Sequence, residues 1–201
     1  MNTKNKAFRL TIRGILTALI ILQVMVPFLG YIPLGITDLT IIHITVIIAA
    51  ITLGTKDGMF IGLVWGIFTV IRAFTSPTSP LDTLVFTNPI ISVVPRILVG
   101  LVAGLIFGWI YKHKKNLTLS VILSAVAGTL TNTILVLSLM GILYTKPVAA
   151  AYGVDPSALL GVLGTIVATN GVTEVIGAAI ITPLIVKALF SATHLKPDNR
   201  N

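Results

Sequence analysis

Apolar residues run through this chain in long blocks, broken at intervals by short clusters of charge, proline and glycine. A helix crosses a bilayer core with roughly 20 apolar residues. The breaks mark six such units, at about residues 10–28, 38–53, 58–73, 88–111, 117–144 and 158–190. The second and third are short and the last two long, so tilt and re-entrant geometry are expected. The pattern predicts an all-α integral membrane protein of six transmembrane helices, forming a single membrane domain over residues 1–201. No small-residue cleavage site separates the first block from the next, so it reads as a span rather than a removable leader.

Composition strengthens this reading. The chain is 55% hydrophobic and only 10% charged, with a mean hydropathy of +1.02, well above that of a soluble domain. It has no cysteine, which excludes disulfides, thiolate catalysis and cysteine-held metals. The net charge of +8 is unevenly distributed. Lys4, Lys6, Arg9 and Arg13 fall at the N-terminal end, Lys56 in the second loop, Lys112, Lys114 and Lys115 in the fourth, and Lys187, Lys196 and Arg200 at the C-terminal end. Only Arg72 and Lys146 flank the other side. By the positive-inside rule both termini are cytoplasmic. The basic excess then reflects topology and contact with anionic lipid rather than nucleic-acid binding.

The cytoplasmic connections are short, GTKDG and KHKKN among them. The external ones, PFLGYIPLGITD, FTSPTSPLDTLVFTNP and TKPVAAAYGVDPS, are long and rich in Pro, Gly and hydroxyl residues. Long loops on one side of a small bundle suggest a lid over an outward-opening site. Beneath them, Arg96 is the sole charged residue between Asp82 and Lys112. A charge at membrane depth is costly unless it pairs, snorkels or faces a cavity, so it marks a functional site or a buried pair with Glu174. At about 1.5 Å per residue, Arg96 lies about 12 Å below the outer start of its helix, Asn132 and Asn170 each about 18 Å, and His43 about 8 Å. Glu174 is one turn deeper than Asn170 on the same face. Four spans therefore bring polar groups to similar depth, as a small-molecule pocket requires. Arg96 offers a fork of donors to a carboxylate. Asn132 and Asn170 suit hydroxyls and amides, or bonds between helices. Trp65 offers apolar area with one donor. Asn88 and His43 complete the polar set.

Small residues recur every fourth position: Gly58, Gly62 and Gly66 on the third span, Gly100, Gly104 and Gly108 on the fourth. Such stripes let helices approach closely in lipid. Gly14 and Ala18 form a shorter pair on the first helix, a face open to another subunit. No phosphate loop, zinc-protease motif, nucleophile elbow or catalytic carboxylate pair is present. No cofactor is called for, and nothing points to an enzyme. Energy for uphill transport has to come from a partner.

The run IIHITVIIAAITLGTKDGMFIGLVWGIF, followed by the Pro/Ser loop and VFTNPIISVVPRILVG, resembles the substrate-binding S components of energy-coupling factor (ECF) vitamin transporters, most closely the pantothenate-specific members. The resemblance extends from about Arg13 to Lys187; Thr55 stands where the family usually has Pro, at a cytoplasmic turn. It implies a six-helix protein of the bacterial cell membrane that captures a vitamin outside. It also implies docking on a transmembrane coupling subunit and two cytoplasmic ATPase subunits, with release inside. The matching positions for contact with the coupling subunit are Gly14 and Ala18. The loops after the first and third spans, with Tyr31 and residues 74–87, are expected to close over the ligand. Pantothenate suits this set, with its carboxylate for Arg96, its amide and two hydroxyls for Asn132 and Asn170, and its gem-dimethyl group for Trp65. Two rivals remain. An S component for hydroxymethylpyrimidine or a pyridoxine-like compound leaves Arg96 without an anion. An intramembrane enzyme using His43 and Glu174 requires turnover that His43→Ala abolishes.

Overall fold

A computed structural model describes residues 3–26, 28–33, 38–193, 195 and 197. Pro27, residues 34–37 of the first predicted loop, and Lys196 and Arg200 of the basic tail lie outside the described residues. Helices dominate: α1 (Thr3–Met25), α2 (Ile42–Thr52), α3 (Thr55–Thr75), α4 (Pro89–Lys114), α5 (Leu117–Leu143), α6 (Thr145–Ala151), α7 (Leu159–Ile166) and α8 (Val172–Ala192). Five helical segments among the described residues are long and apolar enough to cross a membrane, the last running Pro156–Ala192 through α7 and α8.

The second predicted unit differs from expectation. Its helical part is only the 11 residues of α2. Residues before it form a two-stranded antiparallel hairpin, β1 (Tyr31–Pro33) with β2 (Asp38–Thr40), pairing Tyr31 with Thr40. The alternation in Tyr-Ile-Pro and Asp-Leu-Thr is too short to read as strand beside so much apolar sequence. Every residue of α2 is buried, because α3, α4, α5 and α8 surround it. A helix that is apolar all round has no face to give to water or lipid, so it forms the axis of the bundle.

Local chemistry sets the turns. Gly54 joins α2 to α3 at φ 114°, a conformation that side chains resist. Lys115 ends α4 in the left-handed region, and the next residue, Asn116, caps α5 by accepting from Leu119 N at 3.0 Å. The first turn of α3 carries Asp57, where an anion favours the helix N-terminus. It accepts from Arg9 at 2.6 Å and pairs with Arg13 at 3.5 Å, fastening α1 to α3.

The glycine stripes meet where α3 crosses α4. A Cβ at Gly62 would strike the backbone carbonyl of Arg96, one at Gly66 would lie 2.6 Å from Val93 Cα, and one at Gly100 would run into the backbone of Gly58. These helices touch backbone to backbone, and the contact fixes the height of Arg96 in the bundle. Gly14 is different: nothing lies within 4 Å of its Cβ direction, and Gly14 and Ala18 are both exposed. Gly100→Val is therefore expected to force α3 from α4 at a cost of about 1–3 kcal/mol, a typical overpacking penalty. The check is the thermal unfolding midpoint in detergent, and an unchanged midpoint contradicts the close approach.

Candidate functional site

Alternation of the helices brings the hairpin, the loop after α3 and the connection through α6 to one end of the bundle. Beneath them lies a cavity of about 120 Å³. Its walls combine apolar surface from Val136, Leu137 and Met140 with polar groups drawn from residues as far apart as Tyr31 and Glu174.

Arg96 is held there by a local defect in α4. Pro95 has no amide hydrogen, so the carbonyl of Ile91, four residues earlier, lacks its helical donor. The Arg96 Nη1 turns back and donates to that carbonyl at 2.6 Å. Trp65 of α3 lies 5.0 Å from the guanidinium and Phe86 5.3 Å, each ring adding cation–π attraction. No carboxylate lies within ion-pair distance of Arg96 among the described residues, and its Nε has no hydrogen-bond partner.

The sequence leaves open a pair between Arg96 and Glu174; the structure does not form it. Glu174 instead accepts from Thr40 N at 2.7 Å and Thr133 Oγ1 at 3.1 Å, tying the hairpin to α5 and α8. Arg72, expected from the sequence to be a flanking topology charge, is buried in the cavity wall and paired with Asp82 at 2.8 Å. Both partners are almost fully buried, so this pair is little screened. A lone Arg and a lone Asp ten residues apart, at either end of SPTSP, were the available signal for it. Asp57 and Asp82 join Glu174 as buried acids.

Of the eight residues singled out for ligand contact, Arg96, Asn132, Asn170, Tyr31 and Glu174 line this cavity. Trp65, His43 and Asn88 lie outside its lining. Trp65 is fully buried behind Arg96, so the aliphatic wall belongs to Val136, Leu137 and Met140. His43 sits inside α2, where surrounding helices enclose it. Among the described residues no hydrogen bond joins it to Glu174, which bonds to Thr40 and Thr133 instead, and it lies outside the cavity lining to which Glu174 belongs. Asn88 caps α4, accepting from Ile90 N at 2.9 Å and donating to Tyr144 Oη at 3.2 Å.

The remaining cavity polarity is only partly satisfied by the protein itself. Tyr31 Oη, Asn132 Oδ1 and the Nε atoms of Arg72 and Arg96 are buried and unpartnered. Each such atom costs about 1–3 kcal/mol when left unsatisfied. Asn170 lies in a π-turn, Val167–Gly171, and Asp82 opens another, Asp82–Phe86; wide turns of this kind re-aim side chains and concentrate at functional sites. Burial raises the Tyr152 hydroxyl above the usual phenol value, keeping it a neutral group on the rim. No His, Cys, Asp and Glu cluster suited to a metal occurs among the described residues.

An apolar bundle with a polar cavity under paired loops is the form of a membrane substrate-binding protein, and residues 8–186 match the family described as ECF transporter, substrate-specific component. The chain belongs to that family, and is a multi-pass protein of the bacterial cell membrane. It is 39% identical over 191 residues to "Pantothenate transporter PanT" of Leuconostoc mesenteroides subsp. mesenteroides, covering 91% of this chain and 92% of that one. It is also 38% identical over 167 residues to "Pantothenic acid transporter PanT" of Lactococcus lactis subsp. cremoris, covering 77% and 79%.

Since Asn88 holds a helix end rather than the cavity, Asn88→Ala is expected to lower stability by about 1 kcal/mol, the usual worth of such a cap. Chemical denaturation in detergent measures it, and a loss of less than about 0.3 kcal/mol contradicts the capping role.

Proposed function

We propose that this chain is the subunit that captures pantothenate for an ECF importer, as a single six-span membrane domain with both termini cytoplasmic. The observation that carries the reading is Arg96: a buried cation with no carboxylate partner among the described residues, on the wall of a cavity that opens beneath loops. The ligand carboxylate completes it. Asn132 and Asn170 take the hydroxyls and amide, and the gem-dimethyl group rests on Val136, Leu137 and Met140. Glu174, in the same cavity wall, holds the hairpin through Thr40 N. Both named relatives are called transporters of this vitamin, which supports the choice over a neutral or cationic ring that leaves Arg96 uncompensated.

Capture and release, rather than turnover, is the work of this subunit. The short helix α2 fills the core, while α1 rests on α3 and α2 with Gly14 and Ala18 outward. That face takes the transmembrane coupling subunit, which links the chain to two cytoplasmic ATPase subunits. Ile15, Leu19 and Leu22 flank it with exposed apolar surface, giving a small-residue groove between larger side chains.

Calorimetry on the purified chain is expected to give one-to-one pantothenate binding. Arg96→Ala is expected to weaken it at least tenfold, or about 1.4 kcal/mol, through loss of a charge-assisted contact. Native affinity in that variant removes the carboxylate from Arg96. In cells carrying the full transporter, Gly14→Leu or Ala18→Leu is expected to leave binding intact and to stop uptake. Uptake at the native rate removes this face from the interface.

A further inference from the structure

Two loops cover the cavity, and one side chain touches both. Arg72, at the end of α3, donates through Nη2 to Asp82 at 2.8 Å and through Nη1 to Thr78 at 3.3 Å, both in the loop after α3. Its guanidinium also lies 4.2 Å from the ring centre of Tyr31, in the hairpin after α1. Asp82 is itself the hub of its loop: Oδ2 accepts from Thr78 N at 2.7 Å, Thr78 Oγ1 at 3.0 Å and Ser79 N at 3.1 Å. Each loop has a second anchor. Thr40 of the hairpin donates to Glu174, and Ser92 of α4 donates to the carbonyl of Phe86 at 2.6 Å.

We propose that Arg72 couples the hairpin and the loop after α3 into a single lid, so that both open together when the Arg72–Asp82 pair breaks. Arg72 is a positioning residue in this arrangement: its charge is already answered by Asp82, which leaves the ligand anion to Arg96. Opening exposes a buried charge pair and an aromatic contact at once, so the open state is rare and the lid governs how long a guest stays. The inference rests on the cavity reading above for its ligand, but the joint motion of the two loops does not need one.

Hydrogen exchange on the full chain in lipid nanodiscs, without ligand, tests the coupling. Arg72→Gln is expected to speed exchange at least tenfold in residues 28–33 and 38–41 and in residues 76–88 alike, while α4 and α5 keep native protection. Arg72→Lys, which retains the ion pair, is expected to remain within about threefold of native. Faster exchange in residues 76–88 alone overturns the proposal, as does no change in either segment. Should Arg72→Gln fail to fold, Asp82→Asn removes the same charge pair with little change of shape and carries the same expectation for both segments. With pantothenate, Asp82→Asn is expected to raise association and dissociation rates together, at least tenfold each, with Kd shifted less than threefold. Unchanged rates count against the lid. If native protein does not bind pantothenate, the choice of ligand falls, and exchange alone decides the coupling.

Discussion

The missing hydrogen at Pro95 is the constraint on which the centre of this molecule depends. An arginine inside an apolar bundle needs acceptors, and a regular helix offers none, because every carbonyl is already engaged. Proline frees the Ile91 carbonyl, and the next residue uses it. That bond secures one edge of the guanidinium, while Trp65 and Phe86 lie against it. Desolvating a charge costs several kcal/mol even after relaxation, and one hydrogen bond with two ring contacts offsets only part of that. The balance is not met by any carboxylate among the described residues, so the helix defect and the incompletely compensated charge fall on adjacent residues.

Glycine then determines where this group sits. Gly62 lies against the Arg96 backbone and Gly100 against Gly58, so α3 and α4 approach until main chain meets main chain. Any larger residue would lift Arg96 relative to Trp65 and to the Asn side chains opposite. The stripes that look like generic membrane packing therefore also set the geometry of the cavity. At the far end, Asp57 with Arg9 and Arg13 fastens α1 to the same helix pair and leaves the Gly14 face uncovered.

Much of this was legible in the residues. Long apolar blocks announce helices because lipid leaves the backbone few other ways to satisfy itself, and the isolated charge at 96 stood out against them. Similar depth along separate spans was enough to bring Arg96, Asn132 and Asn170 to one cavity. What depth cannot give is azimuth. His43 has a suitable depth but is buried in packing, as is Trp65, and Asn88 is spent on a helix end. Arg72 was obscured for a different reason: a basic residue at a span boundary has an ordinary topological explanation, and its partner Asp82 is revealed only when the loop folds back. The hairpin escaped notice because strands of three residues leave no periodicity to find.

At 11 residues, helix α2 reaches only about 16 Å, roughly half the depth of a hydrocarbon core. It cannot stand across a bilayer by itself during biogenesis. Its depth is held by α3 and α4, which enclose it, and Gly54 at positive φ joins α2 directly to α3. The axis of the finished bundle is thus the shorter arm of an α2–α3 pair, and its polar ends are met by protein rather than by the membrane surfaces.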